Sequence, residues 1–361
     1  MKKIFVLCPT LTQPRFHKRV SQLAEIFDVN VSGFSRGLYE VNSFPERFTV
    51  NSLGKVRDGN YLQRVLVLLR AVLILRRMVK QANTDEQYFY TFGLDGLIIA
   101  RLSGLKVGFY EIGDIRFKRS RGNIFSFLEN FLSRYLEAVV VTSPGFISEV
   151  KKSGPDIDVL PFEVIENKLP PHLMRPKLNN AMDDVKGKIK IGVIGFLRYE
   201  KPLRKILSFV LEHKDRYELH CWGDGPCKVL FENHPSSNVA FYGSFKNPER
   251  LEDIYSRIDL NYTVYGGNPA DEIGVRLALP NKLYESIFYY VPILCREATE
   301  VGRVAVGLGV GAMIAENDFD STLLNIDRTK IQEMRRKCSE VIVSDLIDDG
   351  SVIIKSLLKN K

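Results

Sequence analysis

Leu279-Pro280-Asn281-Lys282-Leu283-Tyr284-Glu285-Ser286-Ile287, running on to Val291-Pro292-Ile293-Leu294-Cys295, decides how the rest of the chain is read. Proline at a first helical position loses nothing by lacking an N–H, and its φ is preset for the turn. Leu283, Ile287 and the Phe288/Tyr289 pair then return at helical spacing, and residues 291–295 form a short apolar run of the kind that makes a buried strand. A helix therefore feeds a strand. The helix start offers backbone N–H groups and the positive end of a dipole at Asn281 and Lys282, and Lys282 adds a full charge: an anion site. Glu285, one turn in, carries a carboxylate suited to accepting hydrogen bonds from the hydroxyls of a ribose. One short element thus holds what a sugar-linked diphosphate requires. The same residues also read as an ordinary surface helix with a proline start, so the surroundings have to decide.

At 361 residues the chain suits two domains better than one, and 45% hydrophobic content is enough for sizeable cores. The five cysteines are scattered with no CxxC spacing, which points away from a disulfide framework or a zinc site and fits a reducing cytosol. The apolar run after Met1-Lys2-Lys3 is too short for a signal peptide and reads as the first strand.

From the N-terminus, strands are expected at 4–8, 29–34, 48–53, 88–92, 106–111 and 138–142, with helices at 16–27, 61–80, 95–102 and 123–137 between them. A polar, proline-containing stretch from Leu169 to Lys188 reads as a linker. The pattern then restarts, with strands at 189–194, 217–221, 239–242 and 260–264, helices at 203–212 and 248–257, then the opening helix and strand, and mostly helix from Leu323. Such alternation argues two parallel sheets, each covered on both faces, with a cleft between them and ligands beyond the carboxyl ends of the strands.

The charge is uneven. Residues 1–175 carry 25 Lys and Arg against 17 Asp and Glu, whereas the remainder is balanced, so the whole excess of +8 lies in the front half. That half should face something anionic. On the helix at 61–80, Arg70, Arg76, Arg77 and Lys80 cluster on one side with Leu66 and Leu73 among them; no uncharged run there is long enough to span a bilayer. The basic side suits lipid head groups. Ile115-Arg116-Phe117-Lys118-Arg119-Ser120-Arg121 adds a basic loop with an interleaved aromatic. Arg15, Arg70, Arg76, Arg77, Arg116, Phe117, Lys118 and Arg119 are therefore the candidates for facing an acceptor or a membrane. No helix-turn-helix, zinc or RNP-type pattern occurs, so nucleic acid is not expected as a partner.

Three further stretches carry chemistry. Gly195-Phe196-Leu197-Arg198-Tyr199-Glu200-Lys201 follows the first strand of the second unit, where a glycine turn admits a ligand to the backbone and Arg198 and Lys201 reach phosphate. Gly223-Asp224-Gly225-Pro226 follows a neighbouring strand and belongs on the same rim. Tyr110-Glu111-Ile112-Gly113-Asp114 ends a strand of the first unit, and Asp114 or Glu111 is placed to act on an acceptor hydroxyl; capping a loop is the plainer role for Asp114. His17, among Arg15, Lys18 and Arg19, reads as a surface histidine. Asp156-Ile157-Asp158 has the spacing of a metal-binding pair but follows Gly154-Pro155 in an apparent turn, and no bound metal is expected.

Taken together, these motifs resemble the GT-B glycosyltransferases, in particular family-4-like bacterial enzymes, over nearly the whole chain. The most specific part is Pro-Asn-Lys-x-x-Glu before a Val-Pro strand. Support comes from Gly195–Lys201, Gly223–Pro226, Tyr110-Glu111 with Asp114, Thr142-Ser143 and Val164-Ile165-Glu166-Asn167. The resemblance implies an α/β fold of two Rossmann-like domains whose parallel sheets face a central cleft: 1–168 binding the acceptor, 169–188 the linker, 189–340 binding the nucleotide-sugar, and 341–361 a C-terminal helix expected to pack back on the first domain. It implies a nucleotide-diphosphate sugar as substrate, with no cofactor and no metal. Gly195, Arg198, Lys201, Gly223, Gly225, Asn281, Lys282 and Glu285 would bind the donor, Arg198 and Lys201 matching the family's diphosphate-binding pair and Glu285 the second glutamate of its Glu-x7-Glu motif. It further implies retention of configuration and a lipid-linked saccharide acceptor in bacterial surface polysaccharide synthesis, the protein being cytoplasmic and peripheral on the inner face of the membrane. The chain departs from the family in two respects. Leu277 stands at the place of the first glutamate, with Asp271 and Glu272 as the nearby substitutes, and Arg198 and Lys201 are closer together than usual. An inactive nucleotide-binding scaffold and a nucleotide-sugar epimerase are the alternatives. A dehydrogenase is disfavoured because no GxGxxG follows the first strand.

Overall fold

The computed structural model describes residues 2–37, 43–56, 61–82, 87–120, 122–177 and 187–359. Within the stretches read above, linker residues 178–186, Arg121 of the basic loop and the last two residues lie outside these. The chain divides into two compact units, Met1–Glu166 with Asp349–Lys361, and Asn167–Asp348.

The first unit runs β1 (Lys3–Cys8), α1 (Pro14–Leu23), β2 (Asp28–Ser35), β3 (Val50–Lys55), α2 (Tyr61–Gln81), β4 (Gln87–Phe92), α3 (Gly93–Leu102), β5 (Val107–Ile112), α4 (Ile124–Ser133), β6 (Leu136–Val141), α5 (Gly145–Lys151), α6 (Pro155–Asp158) and β7 (Phe162–Val164). Its sheet is parallel throughout, in the order β3-β2-β1-β4-β5-β6-β7. Strands buried on both faces read as unbroken apolar runs, and β1 and β6 are such runs: Ile4 to Cys8 and Ala138 to Val141 are all buried. Helices α2, α3 and α4, each on a crossover between parallel strands, pack side by side in one layer.

The second unit runs β8 (Ile189–Phe196), α7 (Glu200–Glu212), β9 (Tyr217–Asp224), β10 (Val239–Phe241), α8 (Leu251–Tyr255), β11 (Leu260–Thr263), α9 (Glu272–Leu277), α10 (Asn281–Phe288), β12 (Ile293–Arg296), α11 (Glu300–Gly307), β13 (Gly311–Ile314), α12 (Phe319–Leu324) and α13 (Arg328–Glu340). The sheet order is β10-β9-β8-β11-β12-β13, again parallel. In both sheets the order reverses beside the first strand, the place where such sheets bind ligands.

Several expectations are corrected. The helix foreseen through residue 137 stops at Ser133, and β6 starts at Leu136. Tyr135 adopts a left-handed conformation (φ 67°), and Arg101 Nε takes the Leu132 carbonyl at 2.8 Å, which terminates the helix. Pro280 stands one residue before the helix, with Asn281 its first residue. Strand β13 hides in a glycine-rich stretch because Gly311 must pass the Ile293 carbonyl, where a Cβ would lie 2.2 Å away. The stretch 341–361 is not one helix. A 3-10 turn (Val343–Leu346) precedes a left-handed Gly350, after which α14 (Ser351–Lys359) packs with α1 in the first unit.

The first part of the stretch read as a linker is fixed to the second unit. Leu169 exchanges backbone hydrogen bonds with Leu346 and Asp348 (2.9 and 2.8 Å). Arg175 donates to the carbonyls of Ile287 and Phe288 at the end of α10, and of Cys338 and Val341 at the end of α13, over 2.7–3.2 Å. A guanidinium there satisfies carbonyls that a helix end leaves open and complements both dipoles.

Candidate functional site

The carboxyl ends of β8 and β9 meet so closely that only glycine fits. A Cβ on Gly223 would stand 1.7 Å from the Gly195 carbonyl oxygen, and one on Gly225 2.6 Å from that of Leu197; both glycines have positive φ (142° and 140°). Leu197 N–H donates to the Asp224 carbonyl at 2.8 Å, and Gly223 N–H to that of Gly243 at 2.8 Å, so the segments after β8, β9 and β10 are stitched together. Gly195 (φ 121°) faces α10, with Lys282 Cε 3.5 Å from where its Cβ would be. The structure thus brings Gly195, Gly223, Gly225 and Lys282 to one edge.

Lys282 and Glu285 are both buried, 5% and 1% exposed, and one turn apart Lys282 Nζ lies 2.5 Å from Glu285 Oε2. The same oxygen accepts from Tyr255 (3.0 Å), while Oε1 accepts from Asn281 Nδ2 (2.5 Å). Burial and then the Glu285 charge push the Tyr255 phenol well up, so it stays a donor. No side chain caps the start of α10. Asn281, itself exposed, donates to Glu285 Oε1; replacing it by ligand hydroxyls would keep Oε1 hydrogen-bonded.

Arg198 is exposed and lies 4.7 Å over the Tyr199 ring, which contacts Tyr265 at 5.7 Å. The Tyr265 phenol is raised by burial and by Glu285, and Arg198 opposes that rise; Tyr265 therefore sits in the field of both candidate residues. Lys201 already has a partner of its own. It forms an exposed ion pair with Glu316, beyond β13. Of the two substitutes for the carboxylate absent at Leu277, Glu272 is committed to a bidentate pair with Arg296, whose hydrogen bonds hold its carboxyl below the usual range.

Sequence reasoning missed Tyr255, Tyr265 and Asn261. Asn261 is fully buried on β11, donates to Ser286 Oγ at 2.7 Å and to the Tyr255 hydroxyl at 3.3 Å, and ties that strand to α10 beside Glu285. The available signal was Asn261 and Thr263 alternating with apolar residues in a strand buried on both faces.

In the first unit, Glu111 and Asp114 separate. Glu111 is wholly buried, accepting from Arg19 Nε at 3.0 Å and the Tyr90 hydroxyl at 2.5 Å. Its carboxylate faces the interior and these two donors, which differs from the open placement expected for a group acting on an acceptor hydroxyl. Asp114 is open to solvent, with Arg116 3.9 Å away. Arg15 lies against the Gly113 backbone, where a Cβ would meet Nη1 at 2.1 Å, and Thr142 Oγ1 donates to the Gly113 carbonyl at 3.3 Å. The ends of β5 and β6 and the start of α1 thus converge beside Asp114. His17 is not a free surface group: half-buried, it is 2.5 Å from the Leu11 carbonyl, and burial lowers its pKa. Asp156 accepts from Asn130 (2.8 Å) and Arg134 (3.2 Å), and Asp158 pairs with Lys151 (2.9 Å).

Among the basic candidates, Arg70, Arg76, Arg77, Arg116 and Lys118 are exposed and Phe117 is half-buried. Arg119 corrects the expectation of an outward-facing group. It is 3% exposed and forms a bidentate pair with buried Glu129 (Nε–Oε2 2.6 Å, Nη2–Oε1 2.7 Å), which also accepts from Tyr110 at 2.7 Å and Ser153 at 2.5 Å. No helix among the described residues is long and apolar enough to cross a membrane.

No protein-family model matches the chain. It is 25% identical over 346 residues to the succinoglycan biosynthesis protein ExoL of Rhizobium meliloti, covering 89% of this chain and 83% of that protein. Solved structures of the same fold include HepE of Anabaena in complex with UDP and glucose (14% identity, TM-score 0.68, 100% and 99% of the two chains). They also include sucrose-phosphate synthase of Thermosynechococcus elongatus (11%, TM-score 0.71, 100% of both) and TarM of S. aureus, crystallised with UDP (10%, TM-score 0.65, 99% of both). The fold is that of the GT-B glycosyltransferases: two α/β units, each built on a parallel sheet.

Proposed function

We propose that the chain is a glycosyltransferase that takes a sugar from a nucleotide-diphosphate donor and places it on an acceptor hydroxyl during bacterial polysaccharide synthesis. The observation that carries this reading is the meeting of three closely packed glycines with the buried Lys282–Glu285 pair at one strand edge of the second unit. Similarity to a succinoglycan biosynthesis protein, and to folds crystallised with UDP, supports the substrate class.

In this reading the diphosphate lies along Gly195 and the start of α10, where the backbone comes close without a Cβ and the helix dipole and Lys282 meet the anion. Arg198 joins from the same rim, and Lys201 exchanges Glu316 for phosphate. Glu285 takes the ribose hydroxyls in place of Asn281. As the sugar C1–phosphate bond breaks, negative charge grows on the departing diphosphate, and these fixed cations and N–H groups stabilise it without a metal. The acceptor oxygen forms the new bond to C1. Its proton leaves on the phosphate if configuration is retained, which is the reading we favour; Asp114 is the base in an inverting reaction. Glu111 acts indirectly, by fixing Arg19 and Tyr90 beneath the strand ends.

A lipid-linked saccharide is the acceptor proposed, since Arg70, Arg76, Arg77, Arg116 and Lys118 give the first unit a cationic exterior suited to the head groups of the cytoplasmic membrane face. The test is transfer from a panel of labelled nucleotide-sugars to lipid-diphosphate saccharides, with product configuration read by NMR. Transfer with retention is expected, and Asp114→Asn should lower the rate about tenfold while nucleotide affinity stays unchanged, as for a group that only positions the acceptor. A loss beyond about a hundredfold would make Asp114 the base of an inverting enzyme. Nucleotide binding with no transfer would favour a scaffold, the reading that Leu277 and the committed Glu272 support.

A further inference from the structure

The helix layer α2–α3–α4 leaves two apolar ridges uncovered. On α2, Leu66, Leu69 and Leu73 recur at i, i+3 and i+7 and are 54–68% exposed; on α4, Ile124, Phe127 and Phe131 recur at the same spacing and are 51–62% exposed. The Phe127 and Phe131 rings stack at 6.3 Å. The ridges belong to one layer. Ser103 Oγ, just past α3, donates to the Val72 carbonyl of α2 at 3.2 Å, and Arg101 of α3 donates to the Leu132 carbonyl of α4 at 2.8 Å. Apolar side chains exposed in rows along two helices of one layer, rather than scattered singly, mark an interaction surface.

We propose that this paired-helix face is a membrane-insertion surface, with the two ridges entering the acyl boundary of an anionic bilayer. It deepens the membrane part of the reading above, which placed only cations on head groups, and it does not depend on sugar transfer. Charge selects this occupant. The α2 stripe continues without a break into Arg76, Arg77 and Lys80, and Arg116 and Lys118 stand on the loop before α4, all exposed. No acid occurs within α2 itself, Asp58, Asp85 and Glu86 standing in sequence only beyond its ends, and nearby acids are already engaged: Asp95 by Arg64, Asp114 by Arg116, Asp156 by Arg134, and Glu129 in the interior. A second copy meeting this face by two-fold symmetry would set cations against cations. Apolar ridges bordered by cations are instead the pattern of helices that lie in the plane of an anionic membrane surface.

The experiment is flotation of the full chain with vesicles of phosphatidylcholine containing about 30% phosphatidylglycerol, at ~0.1 M and ~0.5 M salt. Binding should weaken but persist at the higher salt, because burial of apolar side chains is not screened. Phe127→Ser with Phe131→Ser, and separately Leu69→Ser with Leu73→Ser, should each lower the partition coefficient at least about tenfold with nucleotide affinity unchanged. Phe127→Trp should be quenched by lipids brominated in the acyl chains, while Trp222, buried in the second unit, supplies a constant background. Two results would overturn the proposal. One is binding that vanishes at high salt and ignores the serine variants, which leaves head-group contact alone. The other is a dimer dispersed by those variants with no vesicle binding, which makes the face an interface between copies.

Discussion

Glu285→Gln should cost the second unit about 3–5 kcal/mol of stability and at least about tenfold in nucleotide affinity. The first effect comes from Lys282. Lys282 is 5% exposed and its ammonium has the Glu285 carboxylate at 2.5 Å; a neutral amide leaves that cation buried without an opposite charge. The second comes from the loss of a charged acceptor for the ribose, each hydrogen bond to a charged group contributing roughly 1.5–3 kcal/mol. Glu285→Gln combined with Lys282→Met separates the two. Removing both charges should restore most of the stability, because a buried pair replaced by apolar volume is often close to neutral. It should not restore nucleotide binding. Trp222, the only tryptophan in the chain, lies buried in this unit and reports its unfolding in denaturant. If the double variant bound nucleotide like the wild type, the carboxylate would be structural only.

The other large effect belongs to the first unit. Glu129→Gln should destabilise it by about 3–5 kcal/mol, since Arg119 is 3% exposed and has no route to water for its charge. Burial alone lowers the pKa of a guanidinium, but the hydrogen bonds and charge of Glu129 overcome this and hold Arg119 above its ordinary value. Glu129 accepts four hydrogen bonds, from Arg119 twice, Tyr110 and Ser153, and so fastens β5, the loop carrying Arg119, α4 and the segment after α5 to one point. Asp114 stands at the root of that loop. The check is circular dichroism in denaturant with hydrogen exchange over β5 and α4. Arg119→Met with Glu129→Leu should recover most of the loss, whereas an unaltered midpoint in Glu129→Gln would show that the pair is unimportant to the fold.

Periodicity and turn chemistry exposed most of the architecture. Parallel strands buried on both faces are apolar runs in sequence, so β1, β4, β5, β6, β8, β11 and β12 announced themselves, as did the long α2. What escaped depended on contacts remote in sequence. The end of α4 is imposed by Arg101 reaching across from α3, and β13 is recognisable as a strand only once Gly311 is seen against the Ile293 carbonyl. In the candidate site, the glycines and the Asn281-Lys282-Glu285 trio were legible because backbone approach and helix-start chemistry leave local signatures. Arg119 and Lys118 are adjacent residues of the same basic loop, yet one is buried on Glu129 and the other exposed; nothing local distinguishes them. The same holds for Tyr255 and Asn261, which become site residues only through strand and helix packing around Glu285.

The most direct test is calorimetric titration of the wild-type chain with UDP, GDP, ADP and CMP, each with and without EDTA. We predict that one nucleotide binds with a defined affinity that EDTA leaves unchanged, and that Glu285→Gln weakens it at least about tenfold. If a properly folded chain bound none of them, the strand edge at Gly195, Lys282 and Glu285 would not be a donor site, and the proposed transfer would fall with it.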